Sequence, residues 1–442
     1  MNSKKLKVWG LTSGILMAIL SVTACSSKSD NPAPQGKTAA EAPKEPFTMT
    51  IYAAGVKPEE FDTRFRGVLE QKFPHIKFEY KTNTAGQSIK ELVATGAIPD
   101  LIRTDIPGLL SSYLDYQIGV DLNPYVKKNA YDLKRFNQVF INEIIDAAQT
   151  GALYGLPVPP FFPQVLYYNK GLFDKFGVPY PKDGMSWDEV YEVAKKMTRV
   201  DGGQVYRGFS AGTGAMLRDN PLSMPILDPV KDGLADPEKW RLLFNNIARF
   251  YEIPNNKIES TAANESAAFG KGQSAMNAAS HNIYLVIPPE VDWDIVSPPT
   301  LAGGPKLMGQ RGPAYWSITN TSKHKDEAFQ VIMAMLADEV QMQDSKSGIP
   351  TVLNNKEMQA ALGQTHPVYS KKNMKAVSYY EPIPYPAKRK QGSAPVADGT
   401  QTTLMNNSFQ SVAAGKSDVN TALRLLDEQL KKEVEAEKAK KQ

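Results

Sequence analysis

The chain has 442 residues, of which 42% are hydrophobic, so it is long and apolar enough to bury the cores of two ordinary domains. Its formal net charge is only +4 and its single cysteine is Cys25. A balance this close to neutral gives no support for nucleic acid as a partner, and one cysteine excludes an internal disulfide.

The N-terminus carries the pattern of an export signal. Lys4, Lys5 and Lys7 precede an apolar run over residues 8–22. A run of about 15 residues suits an export signal better than a bilayer span, which needs about 20. The run leads into Val-Thr-Ala-Cys at residues 22–25, which resembles the bacterial lipobox. We therefore predict a lipoprotein signal peptide over 1–24, a lipid on Cys25 and a position at the extracellular face of the cell membrane; the alternative is an ordinary thiol.

Residues 25–46 are predicted to form a disordered tether behind the lipid. They contain serine, lysine and four prolines, and beyond Cys25 no apolar residue larger than alanine. Such a segment cannot bury enough surface to fold. Removal of residues 1–24 takes away three lysines and no acid, so the net charge of the mature chain falls to about +1.

The first folded elements read as a β-α-β unit. Apolar residues alternate with polar ones over 47–51 and again over 76–80, which predicts two strands. Between them, Pro58 suits the first turn of a helix whose buried face is predicted to hold Phe61, Phe65, Val68 and Leu69. A second helix follows around Ile89, and a short apolar strand follows Pro99. This alternation predicts an α/β fold with a parallel sheet.

Three later helices are predicted from capping and spacing. Ser186 and Glu189 have the spacing of a capping box at the start of one helix. Residues 329–336 repeat apolar side chains at helical spacing, and so do residues 419–430. The charged end of the chain from Lys431 is predicted to be a solvated helical end.

One motif raises the possibility of an enzyme. Residues 208–212 read Gly-Phe-Ser-Ala-Gly and match the G-x-S-x-G elbow of serine hydrolases, with Ser210 as the nucleophile. The elbow requires a buried strand before the serine and a helix after it, whereas glycines flank this motif on both sides. A glycine-rich loop lining a cleft is the favoured interpretation, and we expect no enzyme activity.

Metal and cofactor chemistry has little support. The four histidines are scattered, and the sequence contains no recognisable zinc, calcium or phosphate-loop motif. Tyr379 and Tyr380 resemble the tyrosine pair of ferric-ion receptors, but the proline-rich segment around them favours packing along an irregular surface strand. We predict no metal and no cofactor.

A resemblance to a known family covers nearly all of the mature chain. Residues 151–198 resemble the central segment of the family 1 extracellular solute-binding proteins, the group that includes maltose-binding receptors. The shared elements are Tyr-Gly-Leu-Pro at 154–157, Tyr-Asn-Lys at 168–170, Leu-Phe at 172–173 and Trp-Asp-Glu at 187–189. Further similar elements lie at 73–77, 98–100, 269–276, 322–341 and 348–350.

The resemblance implies a type II periplasmic binding-protein fold, with two doubly wound α/β lobes joined by a hinge of three crossover segments. The expected lobes are 47–160 plus 316–348, and 161–315 plus 349–442. The implied function is that of a receptor, a monomer that binds a sugar or oligosaccharide by hinge closure and delivers it to the permease of an ABC importer.

Position against the family pattern suggests which residues contact the solute. Each has an alternative: Tyr52, Phe161 and Phe162 could belong to the core, Asp105 could cap a helix, and Arg311 could pair with an acidic sugar or brace the hinge. The full set of expected ligand-binding residues is Tyr52, Asp105, Phe161, Phe162, Asn282, Arg311 and Trp316.

Two departures limit the comparison with maltose receptors. Phe162 stands where a maltose receptor carries a glutamate, and Asn282 stands where it carries a cleft tryptophan, so maltose specificity is not implied. A receptor for a non-sugar solute, a surface hydrolase using Ser210 and a sensory lipoprotein remain as alternatives.

Overall fold

A computed structural model describes residues 44–282, 287–390 and 392–440. The predicted signal peptide, Cys25 and most of the tether lie outside these residues. The strands in chain order are β1 (Phe47–Ala53), β2 (Ile76–Thr82), β3 (Leu101–Thr104), β4 (Leu156–Val158), β5 (Phe162–Asn169), β6 (Arg199–Asp201), β7 (Gln204–Tyr206), β8 (Ser210–Ala211), β9 (Met276–Ser280), β10 (Trp293–Val296), β11 (Leu307–Met308), β12 (Gln310–Arg311), β13 (Ala314–Ile318) and β14 (Glu381–Pro382).

The α-helices alternate with these strands along the chain. In chain order they are α1 (Pro58–Phe61), α2 (Gly67–Lys72), α3 (Ile89–Ala94), α4 (Ile106–Leu109), α5 (Asn123–Lys128), α6 (Gln138–Ala148), α7 (Lys170–Phe176), α8 (Trp187–Met197), α9 (Thr213–Arg218), α10 (Pro237–Ala248), α11 (Ala262–Ala267), α12 (Lys325–Met335), α13 (Asp338–Lys346), α14 (Lys356–Ala360), α15 (Asp398–Ala413) and α16 (Val419–Ala439). Within the described residues, no helix is both long and apolar enough to cross a membrane.

The first sheet has the strand order β2-β1-β3-β13-β4. β1 pairs in parallel with both β2 and β3, which confirms the predicted β-α-β unit, whereas β13 runs antiparallel to its neighbours β3 and β4. Parallel strands that follow one another end at the same edge of a sheet, so the ends of β1, β2 and β3 lie together there.

The helical segment between β1 and β2 departs from the predicted face. A π-helical turn, Asp62–Arg66, joins α1 to α2. The extra residue in this turn changes the side-chain register, so Phe61, Phe65 and Leu69 are buried while Val68 is 40% exposed. The prediction that Val68 shares the buried face is therefore wrong.

The second sheet has the order β10-β5-β9-β8, and β12 pairs with the start of β5. Val165 and Tyr167 of β5 pack into one hydrophobic cluster, while Leu166 and Tyr168 pack into another on the opposite face. Burial on both faces explains why this strand is almost continuously apolar. The chain passes between the two sheets from β4 to β5 and again from β12 to β13.

The helices predicted from capping and spacing are confirmed. At the start of α8, the Glu189 backbone N–H donates to the Ser186 hydroxyl, and the Glu189 carboxylate accepts from the Ser186 backbone at 2.7 Å. Helices α12 and α16 occupy the two segments with apolar repeats.

Candidate functional site

Asp105 lies directly after β3, at the edge of the first sheet where the parallel strands end. One carboxylate oxygen accepts from the Gly108 backbone N–H at 3.0 Å and caps α4. The other accepts from the Arg311 guanidinium at 3.0 Å. Asp105 is therefore the helix cap that the sequence offered as an alternative, and it also joins the first sheet to β12.

Phe162 is the cross-strand partner of Arg311, because β12 pairs antiparallel with the first residues of β5. Opposite residues of an antiparallel pair project to the same side of a sheet. Both side chains are only partly buried. An apolar ring and a guanidinium thus project to the same side of two paired strands, and the guanidinium contacts Asp105.

Asn282 and His281 follow β9, whose Ser280 is opposite Gln164 of β5. The His281 ring centroid lies 6.2 Å from that of Phe162. His281 is buried, and burial lowers its pKa to about 4. Asn282 is partly buried. This strand end therefore places a neutral imidazole near the Phe162 ring, and Asn282 is the next residue along the chain.

Three of the expected ligand residues lie in the core of the first sheet instead. Tyr52 is 3% exposed and Trp316 is 1% exposed, with the Trp316 ring edge-on to Phe65. Phe161 packs against Phe140 with ring centroids 5.1 Å apart. Side chains enclosed by both sheet and helices offer no face to a solute, so these three are removed from the candidate site.

A charged cluster surrounds the Asp105–Arg311 pair. Its members come from β3, the end of α9, β12 and the segment that leads into α15. The charged cluster is defined as Asp105, Arg218, Asp219, Arg311, Tyr385, Lys388 and Asp398. Arg311 interacts electrostatically with Asp105, Tyr385 and Asp219, which shows that these elements converge.

The positive and negative side chains of the charged cluster are equal in number. Arg218 Nε donates to Asp219 at 2.7 Å. The Lys388 ammonium donates to the Tyr385 hydroxyl at 3.2 Å and approaches Asp398 at 3.4 Å. Three cations therefore face three carboxylates. Burial lowers the pKa of Lys388, although the neighbouring Asp398 opposes that shift.

A cavity of about 560 Å³ adjoins the charged cluster. Leu114, Gln149 and Tyr154 line it from the elements of the first sheet, and Lys388 and Asp398 line it from the opposite side. A second cavity, of about 590 Å³, shares Gln149 and Lys388 with the first. Each volume falls within the range of roughly 300–1,000 Å³ that is typical of small-molecule sites.

The structure gives Ser210 a structural role. Ser210 is fully buried in β8, and its hydroxyl lies 3.0 Å from the Asn277 side-chain oxygen. The serine thus sits inside a strand and contacts an amide, whereas a nucleophile elbow exposes the serine at a strand-to-helix turn beside a base. The hydrolase alternative is not supported.

Ring packing and an ion pair are among the contacts made around the Tyr379–Tyr380 pair. The Tyr379 and Tyr380 rings pack edge to face with centroids 4.8 Å apart, and Glu381 pairs with Lys356 at 3.5 Å. In the part of the chain that the structure describes, no three histidine, cysteine, aspartate or glutamate side chains come close enough to hold a metal ion.

The residues that sequence reasoning missed are Arg218, Asp219, Tyr385, Lys388 and Asp398. Most lie in or beside a proline-rich segment over 382–396 that carries Lys388, Arg389 and Lys390 in a row. A basic run inside a proline-rich stretch is the one local signal that could have drawn attention to this segment.

Two α/β sheets that meet at a polar, partly exposed cluster beside a ligand-sized cavity define a binding protein of the type II periplasmic fold with two lobes. Residues 51–342 match the family described as bacterial extracellular solute-binding protein, and the chain belongs to this family. It is a solute-binding protein and not an enzyme. Among curated proteins, none matches the sequence.

Solved structures share the fold at low sequence identity. An ABC substrate-binding protein from Listeria monocytogenes in complex with cycloalternan has 20% identity and a TM-score of 0.65. A sugar transporter from Rhizobium etli in an open conformation has 21% identity and a TM-score of 0.65. A cyclic alpha-maltosyl-1,6-maltose binding protein from Arthrobacter globiformis has 14% identity and a TM-score of 0.69. Each match covers 88% of this chain and 99% of the other.

Proposed function

We propose that this protein is a lipid-anchored receptor that binds a neutral sugar or oligosaccharide between its two lobes and delivers it to the permease of an ABC importer. The observation that carries the proposal is the convergence of Asp105, Arg311 and Phe162. These side chains come from both sheets and remain partly exposed.

The chemistry of the site suits a saccharide. A sugar ring presents C–H groups that pack on an aromatic face and hydroxyl groups that need donors and acceptors in a partly dry cleft. Phe162 supplies a ring, Arg311 supplies donors and Asp105 supplies an acceptor. Because three cations face three carboxylates, the charged cluster favours a polar, uncharged solute over an anion.

The two-sheet architecture supports a hinge mechanism. The proposed lobes are 47–160 plus 316–348, and 161–315 plus 349–442. A solute that contacts Asp105 in one lobe and Phe162 in the other would favour the closed state, which a permease could recognise. The three neighbours described above support a saccharide cargo, since one is a complex with cycloalternan, one is called a sugar transporter and one a maltosyl-maltose binding protein.

The proposed anchor is Cys25, which lies outside the described residues. A lipid there would hold the receptor at the membrane, and the tether over 25–46 would let it reach the permease. Association with the membrane would raise the effective concentration of loaded receptor near the importer.

The deciding experiment is a thermal-shift screen of residues 26–442 with neutral and acidic mono- and oligosaccharides, followed by calorimetry on every hit. A ligand at 100 times its dissociation constant adds about 2.7 kcal/mol of stability. We expect a shift with a neutral saccharide that Arg311→Ala reduces by about half or more and that Arg241→Ala, at an exposed ion pair, preserves. No shift with any saccharide would contradict the cargo assignment, and a shift with acidic sugars alone would contradict the neutral class.

A further inference from the structure

Glu143 on α6 is a buried carboxyl beneath the connection between β12 and β13. It is 4% exposed, and one of its oxygens accepts a hydrogen bond from the Tyr315 hydroxyl. A β-carbon at Gly312 would lie only 2.4 Å from that oxygen, so the connection passes directly over the carboxyl. The side chain thus touches the segment that presents Arg311.

Two buried oxygen atoms at this place have no hydrogen-bond partner among the described residues. They are Oε2 of Glu143 and Oε1 of Gln310. The side chains interact with each other, and the Gln310 amide N–H donates to the Ile383 carbonyl at 3.0 Å. An ionised Glu143 would therefore place buried acceptors together without a donor, an arrangement that costs free energy.

A proton on Glu143 resolves both deficits. Oε2–H of the neutral acid can donate to Gln310 Oε1, while the other carboxyl oxygen keeps its bond from Tyr315. Rotating the Gln310 amide by half a turn would point its N–H at Glu143 but would remove the donor from Ile383. The protonated carboxyl supplies the donor that Glu143 Oε2 and Gln310 Oε1 lack, while the single hydroxyl proton of Tyr315 is shared between Glu143 and the Phe140 carbonyl at 2.9 Å.

The charged and titratable neighbours do not reverse this state. Tyr315 faces Glu143 from β13, and the charge of Lys388 reaches it from the segment before α15. Asp146, on the same helix as Glu143, lines the second cavity together with Glu143 and Lys388. Burial raises the pKa of Glu143 to about 8, against the opposing effects of the Tyr315 hydrogen bond, the Lys388 charge and the Gln310 side chain. Lys388 also approaches Asp398 at 3.4 Å, which offsets part of its charge.

We propose that Glu143 is a positioning residue, held as a neutral acid whose proton bridges to Gln310 and fixes β12, so that loss of this proton displaces Arg311 and weakens solute binding. The claim that loss of the proton weakens solute binding rests on the proposed function. The claim that the Glu143 proton fixes β12 concerns only α6, β12 and β13. Each claim is therefore tested by its own measurement.

The structural readout compares urea unfolding of wild type and Glu143→Gln between pH 5 and pH 9. A glutamine keeps the shape, accepts from Tyr315 and donates to Gln310 without titrating. Because the folded protein holds the proton above the ordinary glutamate pKa of about 4.3, its stabilising contribution is lost as the pH rises toward about 8. We expect the urea midpoint of wild type to fall relative to Glu143→Gln over this range, and Asp146→Asn, on the exposed side of α6, to parallel wild type. If the urea midpoints of wild type and Glu143→Gln change with pH in the same way, the inference is overturned.

Two further measurements test the protonation of Glu143 and its effect on binding directly. In wild-type protein with labelled glutamate, one carboxyl carbon should titrate near pH 8, apart from the others; if all titrate below about pH 5.5, Glu143 is ionised and the inference fails. For any saccharide found in the screen, affinity of wild type should fall about fivefold or more from pH 6 to pH 9, and that of Glu143→Gln should stay constant. If no saccharide binds, the proposed function fails while unfolding and titration still decide the role of Glu143.

Discussion

The guanidinium of Arg311 donates to the carboxylate of Asp105 at 3.0 Å although 206 residues separate them. This bond connects the edge of the first sheet to the strand that pairs with β5. Asp105 also caps α4 with its other oxygen, so both the helix and Arg311 fix the orientation of its carboxylate. The acid is thus held rigidly, and the arginine is positioned against it.

Arg311→Ala should weaken binding of the cognate saccharide. A hydrogen bond to a charged group contributes about 1.5–3 kcal/mol, so we expect affinity to fall roughly 10- to 100-fold. Arg311→Lys should rescue only part of this loss, because an ammonium lacks the planar fork of donors. Calorimetry on both variants, with Arg241→Ala as the surface control, tests the prediction. Unchanged affinity in Arg311→Ala would place the solute elsewhere.

Phe162→Ala should also reduce affinity, whereas Phe162→Tyr should retain it. An aromatic packing contact contributes about 0.5–1.5 kcal/mol beyond its buried area, which corresponds to roughly 2- to 10-fold in affinity. The same calorimetric series measures the effect. Val200→Ala, on the exposed β6–β7 hairpin, is the matched control. Equal loss in the alanine and tyrosine variants would show that the ring face is not what the solute contacts.

Glu265→Ala should destabilise the fold without any role in binding. Glu265 is fully buried and accepts from Arg207 at 2.7 Å, from Tyr251 at 2.9 Å and from two backbone N–H groups. Its removal leaves the buried Arg207 charge with only the partly exposed Glu259 carboxylate at 3.7 Å, and breaking a buried pair in this way costs about 3–5 kcal/mol. Urea unfolding should show this loss, whereas Glu192→Ala, at an exposed ion pair, should change stability by less than about 1 kcal/mol. Equal stabilities for the two variants would disprove the structural role.

Cys25→Ala should release the protein from the membrane. We expect full-length wild type to fractionate with membranes and to incorporate labelled palmitate when expressed in a bacterium, and the variant to do neither. Cys25→Ser is the closer isostere and should behave like the alanine variant. Lipid labelling that persists in both would contradict the assignment of the anchor to Cys25.

The capping box, the helical spacing and the first β-α-β unit could be predicted from the sequence, whereas the side to which individual residues face could not. The Ser186–Glu189 capping box and the apolar spacing of α12 and α16 depend on contacts three or four residues apart. Trp316 was expected in the site because it follows a family pattern, but it lies in mid-strand beneath the helix that carries Phe65. Whether a strand residue faces solute or core depends on what covers that face.

The charged cluster illustrates the same limit. Arg311 meets Asp105, and Lys388 and Asp398 join them from a segment whose local pattern predicts only an irregular strand. No periodicity or spacing rule brings together residues from four separate parts of the chain. Asp105, Phe162, Asn282 and Arg311 could be proposed from the resemblance, because the family places strand ends at those positions.

His281→Gln should protect the protein against mild acid. His281 is buried, its Nδ1 has no hydrogen-bond partner among the described residues, and burial lowers its pKa to about 4. The unfolded chain takes up a proton near pH 6.5, so the stability that neutral His281 provides is present above that value and is lost as the pH falls toward 4. Relative to His281→Gln, wild type should lose up to about 3 kcal/mol of unfolding free energy between pH 6.5 and pH 4. Urea titrations at half-unit pH steps measure this difference. Curves that stay parallel over this interval would mean that the imidazole gains its proton without disturbing the fold, and that the end of β9 is open to water.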